Sequence, residues 1–533
     1  MQQIADNTHL RETGDENLQK AAAAFMLNPQ VLEEIYKYVD QLVDHVSSGG
    51  SMAPFQADLN ALFSAAFPLT TPAPAHSQAV MTEVTAYYRQ VANLPYPVGY
   101  SVSPFWDRKQ RGLAEVALAL HDPRHVVILA QIGRVSGFDH RIFGDLESTN
   151  NVVSDKLSII HKDFGVYVPQ NYNIEESEFS IDSSLVKFGG KSYSNIFLTH
   201  LQYYLRTAHL APQGQTAQIL EIGGGYGGLA RIFKLGLENV RYCIVDLPGS
   251  IIYSYVFLRL NFPDSNIVLA TSNARLSGEV IKSADFILSP VNTAACMEGQ
   301  TFDLAINTGS MQEMNSDAVD YFMNYIESIT YCTHFYSFNY FPSIKECYTE
   351  TSGMQSEEQV NLICPKIGPQ WDALYTRMNT PGLVMDCSSR NWLEIILQRT
   401  DPAADHSARA KAHYEASLGL PLMSDTWLHH ALMAAFSDPT EDHVQNLLNG
   451  IELFFFADLD KPNYMFYPDA PNHKVRYYSP AWPKLPIYTQ PMEINTELRR
   501  AMFELLGEVR YFRTLCQTRS ALAKLSTDAG GHR

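Results

Sequence analysis

The chain has 533 residues, a formal charge of −18, and is 46% hydrophobic and 18% charged. That length suits about two to four domains with a large core, and the acidic balance argues against a protein that tracks nucleic-acid phosphates. Seven cysteines with no C-x-x-C pair read as reduced thiols, and no metal-ligand spacing stands out, so no metal is expected.

Residues 1–20 read as a polar leader carrying Asp6, Glu12, Asp15 and Glu16, unlike a secretory signal. The apolar runs 21–27 and 125–130 are too short to span a membrane. A cytoplasmic protein is expected. Val31, Ile35, Val39, Leu42 and Val46 recur at helical spacing, and Gly49-Gly50 ends that helix. Further helices are expected over 55–67 and 77–94, with Pro68, Pro72 and Pro74 between them. Residues 1–94 thus form a mainly helical region. From 95 to 189 the pattern is mixed: 111–120 reads as helix and 125–131 as strand. His121, His125 and His140 read as ordinary polar or core histidines.

A glycine turn at Gly189-Gly190 precedes a helix over 194–210, whose apolar stripe includes Ile196, Leu201 and Leu205 and which carries His200 and Arg206. Then comes the most informative stretch, Gln218-Ile219-Leu220-Glu221-Ile222-Gly223-Gly224-Gly225-Tyr226-Gly227-Gly228, followed by helical spacing from Leu229 to Leu235. A short apolar run, a glycine turn and a helix start together make a place where backbone N–H groups face a polar or anionic ligand. Gly223, Gly225 and Gly228 fit G-x-G-x-x-G, the dinucleotide fingerprint. Glu221, Gly223, Gly225 and Gly227 also fit E-x-G-x-G-x-G, the pattern of S-adenosylmethionine (SAM) methyltransferases. Glu221 tips the choice to SAM, since a carboxylate suits the ammonium of a methionine moiety and sits badly beside a pyrophosphate.

Val240 to Asp246 reads as a second buried strand, and Asp246 stands where an acid accepts hydrogen bonds from ribose hydroxyls. A helix over 250–260 follows. Either Ile267-Val268-Leu269-Ala270 or Asp285-Phe286-Ile287-Leu288 is strand three, and Asp285, Phe286 and Ser289 are adenine-side candidates that also read as structural. Strand four runs from Phe302 to Thr308 into Gly309-Ser310-Met311-Gln312-Glu313-Met314. A helix is expected over 317–331 and strand five over 334–341, with 371–378 and 392–398 closing the sheet. Alternating strands and helices imply an α/β fold with a doubly wound, mostly parallel sheet, ligands binding beyond the strands' carboxyl ends. This domain spans 190–400.

Residues 401–533 form a mainly helical extension, with helices at 406–417, 424–436 and 441–453 and an aromatic, proline-rich stretch at 454–488. A last helix over 496–525 has a heptad-like seam, Leu498, Met502, Leu505, Val509, Phe512 and Cys516, which suggests either docking on its own chain or a homodimer.

Leu220 to Arg231, Ile244-Val245-Asp246-Leu247-Pro248, and Phe302 to Thr308 with Ser310-Met311-Gln312-Glu313-Met314 together resemble a bacterial family of sugar O-methyltransferases. The resemblance covers roughly residues 185–400 and implies a SAM-dependent enzyme with the class I Rossmann-like methyltransferase fold. The Ser-Met-Gln-Glu-Met turn points to this family in particular. Candidate cofactor-binding residues are Glu221, Gly223, Gly224, Gly225, Tyr226, Gly227, Asp246, Leu247, Ser289, Asn307 and Thr308. For a sugar or other small-molecule hydroxyl, the general-base candidates are Glu313 and His200, with His334 ranked below them because it falls near the start of its strand. An amine acceptor needs no strong base, and Asn307 or Thr308 would orient it. Two further readings stand beside these: a nicotinamide-dependent oxidoreductase, and a non-catalytic scaffold with flanking interaction helices.

Overall fold

The structure, a computed structural model, describes residues 48–66, 73–130, 146–179, 186–340, 367–378 and 392–447, apart from short gaps within them, and isolated positions between 35 and 46. The leader 1–20, His140, the stretch 454–488, the 496–525 helix with its suggested dimer, and most of the helix expected at 441–453 lie outside the described residues. Among the described residues no helix is long and apolar enough to cross a membrane.

The centre is an eight-stranded sheet: β1 (Ala217–Ile222), β2 (Val240–Asp246), β3 (Ile267–Leu269), β4 (Phe286–Pro290), β5 (Thr301–Thr308), β6 (Tyr331–Tyr340), β7 (Trp371–Met378) and β8 (Trp392–Arg399). Their order across the sheet is β3-β4-β2-β1-β5-β6-β8-β7. Pairs from β3 through β6 are parallel, and β8 runs antiparallel to both β6 and β7. This is the α/β, Rossmann-like, mostly parallel architecture expected from the sequence. Both candidates for the third strand are strands: β4 lies beside β2, and the short β3 forms the outer edge. The chain moves outward from β1 to β2 and later returns on the other side to β5, so the topological switch point is the carboxyl end of β1.

The strands read as continuous apolar runs because both faces are covered. Ile219, Tyr242, Ile244, Leu288, Ile306 and Tyr336 face one core, and Leu220, Cys243, Val245, Ile287, Ala305 and Phe335 face the other. Helices α1 (Gln56–Ala66), α2 (Ser77–Val91), α3 (Pro104–Ala119), α4 (Leu146–Phe164), α5 (Asn195–Thr207), α6 (Gly228–Gly236) and α7 (Pro248–Asn261) belong to the first side. On the second lie α8 (Ser316–Asn324), α10 (Asp425–Ser437) and the 3-10 segment Val291–Met297; α9 (His406–Ser417) packs on α10. The first core runs without a break from Ile35 and Leu42 through the N-terminal helices to Ile219 and Ile396.

Two local expectations change. Residues 126–130 are helical, not a strand. Val126, Val127, Ile128 and Leu129 are all fully buried, and a short apolar run buried on every side carries no period to separate the two forms. The helix expected over 317–331 ends as α8 at Asn324, and a π-turn, Tyr325–Ile329, leads into β6. At Gly189 and Gly190 (φ 59° and 82°) the chain makes the tight hairpin that joins Val186–Phe188 to Lys191–Tyr193. The thiols of Cys243, Cys296 and Cys332 are buried and free. On β7, the Ala373 N–H donates to the Met433 sulfur of α10 at 3.2 Å.

Candidate functional site

β1 delivers the glycine turn to the switch point. Gly223 has φ 73°, and an added Cβ would stand 2.2 Å from Ser310 Oγ and 2.6 Å from Ser310 Cβ, so both backbone and space demand glycine there. Gly227 is the N-cap of α6 and offers no side chain, which leaves the helix's first amides facing the turn. Gly225 is held at both ends: its N–H donates to Asp246 Oδ2 at 2.8 Å, and its carbonyl accepts from Ser254.

Glu221 lies beneath the turn on the α6 side. It is 3% exposed, and its Oε2 accepts from the Tyr242 hydroxyl at 3.0 Å. Burial pushes its carboxyl up to about 8. Gly224 sits directly over it, since a Cβ there would come 2.9 Å from Oε2. Asp246 closes the adjacent strand, half-buried, with Oδ1 accepting from the Leu247 N–H at 2.6 Å. Burial pushes it up to about 6, against the opposing pull of those backbone N–H donors. A carboxylate has about four lone-pair directions, so the two backbone donors and the Ser250 hydroxyl leave room for one more donor from a ligand.

The turn after β5 is tied to the same point. Asn307 is fully buried; its Nδ2 donates to Ile222 O at 2.8 Å and to Ser310 Oγ at 2.5 Å. Its Oδ1 accepts from the Met311 N–H and from Asn339 Nδ2. Both amide hydrogens are thereby used, so Asn307 braces β1, β5 and β6 and is not available to orient an acceptor. Thr308 and Gly309 are partly exposed at the strand's end, and space is open around Gly309.

The remaining candidates separate. Glu313, in the 3-10 turn Met311–Glu313, is half-buried and accepts from Trp106 Nε1 at 2.9 Å. His200, on α5, packs with Tyr226 and Tyr203 (ring centroids 5.8 and 6.2 Å apart) against the start of α6. Tyr226 itself is 4% exposed and meets Phe257 edge-on, so its backbone, not its ring, belongs to the turn. The Leu247 side chain is buried, and its N–H is the part engaged with Asp246. Ser289 is fully buried, with its hydroxyl at hydrogen-bond distance from Pro290 O and Thr293 Oγ1; it presents nothing to the cleft. Asp285 precedes β4 at the sheet's other end and pairs with Lys234 at 2.6 Å. His334 pairs with Leu304 in the amino half of β6 and holds Asp303 O with Nδ1, away from the cleft. His125 is a buried core histidine against Phe63, held down at about 4 by burial.

Sequence reasoning named no residue of the roof. Ser103 caps α3 and Pro104 opens it, and the helix then crosses the carboxyl edge of the sheet. Trp106 packs with the second core and holds Glu313, whereas Leu113 and Ala117 sit in the first. Between them, Gln110 Oε1 accepts from the Gly249 N–H at 2.9 Å, and a Cβ on Gly249 would stand 2.0 Å from Gln110 O. Tyr87 on α2 donates to Pro248 O; burial pushes the hydroxyls of Tyr87 and Tyr100 well up, and the Asp246 charge adds to both. The one sequence signal was the Ser-Pro helix start, with Trp106 and Gln110 at i, i+4 behind it.

No protein-family model matches the sequence, and no curated protein matches it. Solved structures similar to parts of the chain include a phosphoethanolamine N-methyltransferase of Haemonchus contortus with phosphoethanolamine and S-adenosylhomocysteine, at 9% identity over 50% of each chain and a TM-score of 0.28. The carbon methyltransferase of CurJ is 11% identical over 73% of this chain and 98% of its own, with a TM-score of 0.27. The mitomycin 7-O-methyltransferase MmcR is 11% identical over 61% of this chain and 94% of its own, with a TM-score of 0.26. Likeness this slight carries no functional weight, so what the cleft binds has to come from its own residues.

Proposed function

We propose that the chain is a SAM-dependent methyltransferase acting on a hydroxyl of a sugar or another small molecule. The observation that carries the reading is the bond from Gly225 N–H to Asp246 Oδ2, which joins the glycine turn and the strand-two acid into one cradle. The fit rests on three features: the open backbone of the turn, the spare acceptor capacity of Asp246, and the absence of a Cβ at Gly224 above the Glu221 carboxyl. Asp246 would take a ribose hydroxyl. Glu221 would take the ammonium end, and a cation arriving there draws its raised pKa back down, so binding releases a proton. SAM, when bound, supplies an electrophilic methyl group on a sulfonium.

For the acceptor, Glu313 is the proposed base. It stands at the carboxyl end of β5, where Trp106 fixes the direction of its carboxylate, and it takes the proton from the acceptor hydroxyl. His200, packed among aromatic rings, supports the first turn of α6. The roof of α2 and α3 excludes water from the cleft and orients the acceptor.

Titration calorimetry with S-adenosylhomocysteine tests the cradle. Wild type binds it at micromolar concentration or tighter. Asp246→Asn and Asp246→Ala weaken it by about 10- to 100-fold, the loss of one charge-assisted hydrogen bond. Wild type that ignores S-adenosylhomocysteine but binds NADH overturns the proposal in favour of an oxidoreductase. Transfer of a labelled methyl group to a panel of sugars and small hydroxylated metabolites then identifies the acceptor. In that assay Glu313→Gln lowers kcat and leaves S-adenosylhomocysteine affinity unchanged.

A further inference from the structure

A second cluster of chemistry-bearing side chains lies at the far edge of the sheet. β7 is four strands from β1, roughly 19 Å at ordinary strand spacing, so this cluster is separate from the glycine cleft. His413 projects from α9, and His429 and His430 from α10. All three are half-buried, and one ring nitrogen of each lies within 4.8 Å of the other two. His413 Nδ1 and His430 Nδ1 are 2.8 Å apart, and the three ring centroids are separated by 5.6, 5.1 and 5.0 Å.

The surroundings orient these rings. His413 turns its other nitrogen, Nε2, toward Asp372 of β7, with Oδ1 3.8 Å away. His429 Nδ1 stands 3.3 Å from Thr376 Oγ1, also on β7. A histidine that gives one nitrogen to a metal commonly donates its other N–H to a carboxylate or another oxygen, which fixes tautomer and direction. Here Thr376 is within hydrogen-bond distance of His429, and Asp372 faces His413 at ion-pair distance, both on the same strand. Tetrahedral zinc with Zn–N bonds of about 2.0–2.1 Å needs ligand nitrogens about 3.3 Å apart. The closest pair falls about half an ångström short of that and no pair is more than 4.8 Å apart, so the rings have to turn to converge on one ion. Three imidazoles are a donor set for zinc or a neighbouring transition metal, and a poor one for magnesium or calcium, which prefer oxygen.

We propose that His413, His429 and His430 form a zinc-class metal site, with Asp372 and Thr376 as the outer partners that aim the rings and water in the fourth position. The site ties α9 and α10 to β7. It stands apart from the glycine cleft in the sheet order, so the proposal does not depend on what the cleft binds.

The test uses untagged full-length protein stripped with a chelator and titrated with zinc chloride, followed by calorimetry and thermal melting. One equivalent binds at micromolar concentration or tighter and raises the melting temperature, whereas magnesium chloride does neither. His430→Gln abolishes that equivalent. Asp372→Asn, a change at a partly exposed position, weakens it by about 10- to 100-fold. Stripped wild type that takes up no zinc overturns the proposal, as does a folded His430→Gln variant that binds zinc like wild type. If circular dichroism shows His430→Gln unfolded, the Asp372→Asn titration decides, and an affinity equal to wild type overturns the site.

Discussion

The cleft has a floor and a roof, and they are built on different principles. The floor, at the carboxyl ends of β1, β2 and β5, is made of backbone: a glycine turn, an acid pinned by two amides, and an asparagine whose amide hydrogens are spent on carbonyl and hydroxyl oxygens. The roof, α2 and α3, shares the first core and reaches the site through side chains, Trp106 to Glu313, Gln110 to Gly249 and Tyr87 to Pro248. A floor of this kind tolerates almost no substitution and recognises what many ligands share. On the proposed function, the choice of acceptor would fall to these side chains and not to the floor's backbone.

Gly223→Ala strikes the floor hardest. It combines a left-handed backbone with collision against Ser310, and is expected to cost roughly 2–5 kcal/mol of stability in urea melts and to abolish S-adenosylhomocysteine binding. Gly249→Ala pries the roof from the floor, because its Cβ meets the backbone of α3. It should cost roughly 1–3 kcal/mol, less a few tenths regained from helix propensity in α7. If both variants melt like wild type, floor and roof are not packed as described.

Glu221→Gln reports on what lies beneath the floor. The folded carboxyl titrates near 8 and an ordinary one near 4.5, so between those values the folded protein keeps a proton that the unfolded chain has released. Stability therefore falls as pH rises through that window, with a limiting slope of about 1.4 kcal/mol per pH unit from this group. The glutamine variant lacks the titration, so urea midpoints from pH 5 to 9 should move in its favour as pH rises. A parallel pair of profiles would count against a buried neutral Glu221. The smallest effect is expected from Trp106→Phe, which removes one hydrogen bond to Glu313. About 1 kcal/mol, or a five-fold fall in kcat, is expected, with S-adenosylhomocysteine affinity unchanged.

The floor was legible because its signals are local. Apolar runs, glycines needed for turn geometry, and an acid at the end of the next strand are all read along the chain, and β1, β2, β5 and β7 fall within a residue or so of expectation. The roof's contacts were not legible, because Trp106 and Glu313 are 207 residues apart and no pattern joins them. The same holds for Asn307: its place at the strand end was visible, but its commitment to Ile222, Ser310 and Asn339 is a tertiary fact. The segment 126–130 shows the converse limit, since an apolar run enclosed by helices looks like a strand until its neighbours are known.

The Ala373 N–H that turns to the Met433 sulfur has a consequence for how this molecule behaves in a crowd. An outer strand with unpaired amides is a template for another chain's strand, and long parallel-rich sheets are exposed to that hazard. Here one border is only three residues long, and the other, β7, lies against α10 with one of its amides already engaged. Sulfoxidation of Met433 would put a polar oxygen into that packed seam and loosen the helix from the strand. Met433 is fully buried, so in the folded protein that sulfur, and the amide it covers, are shielded from oxidants.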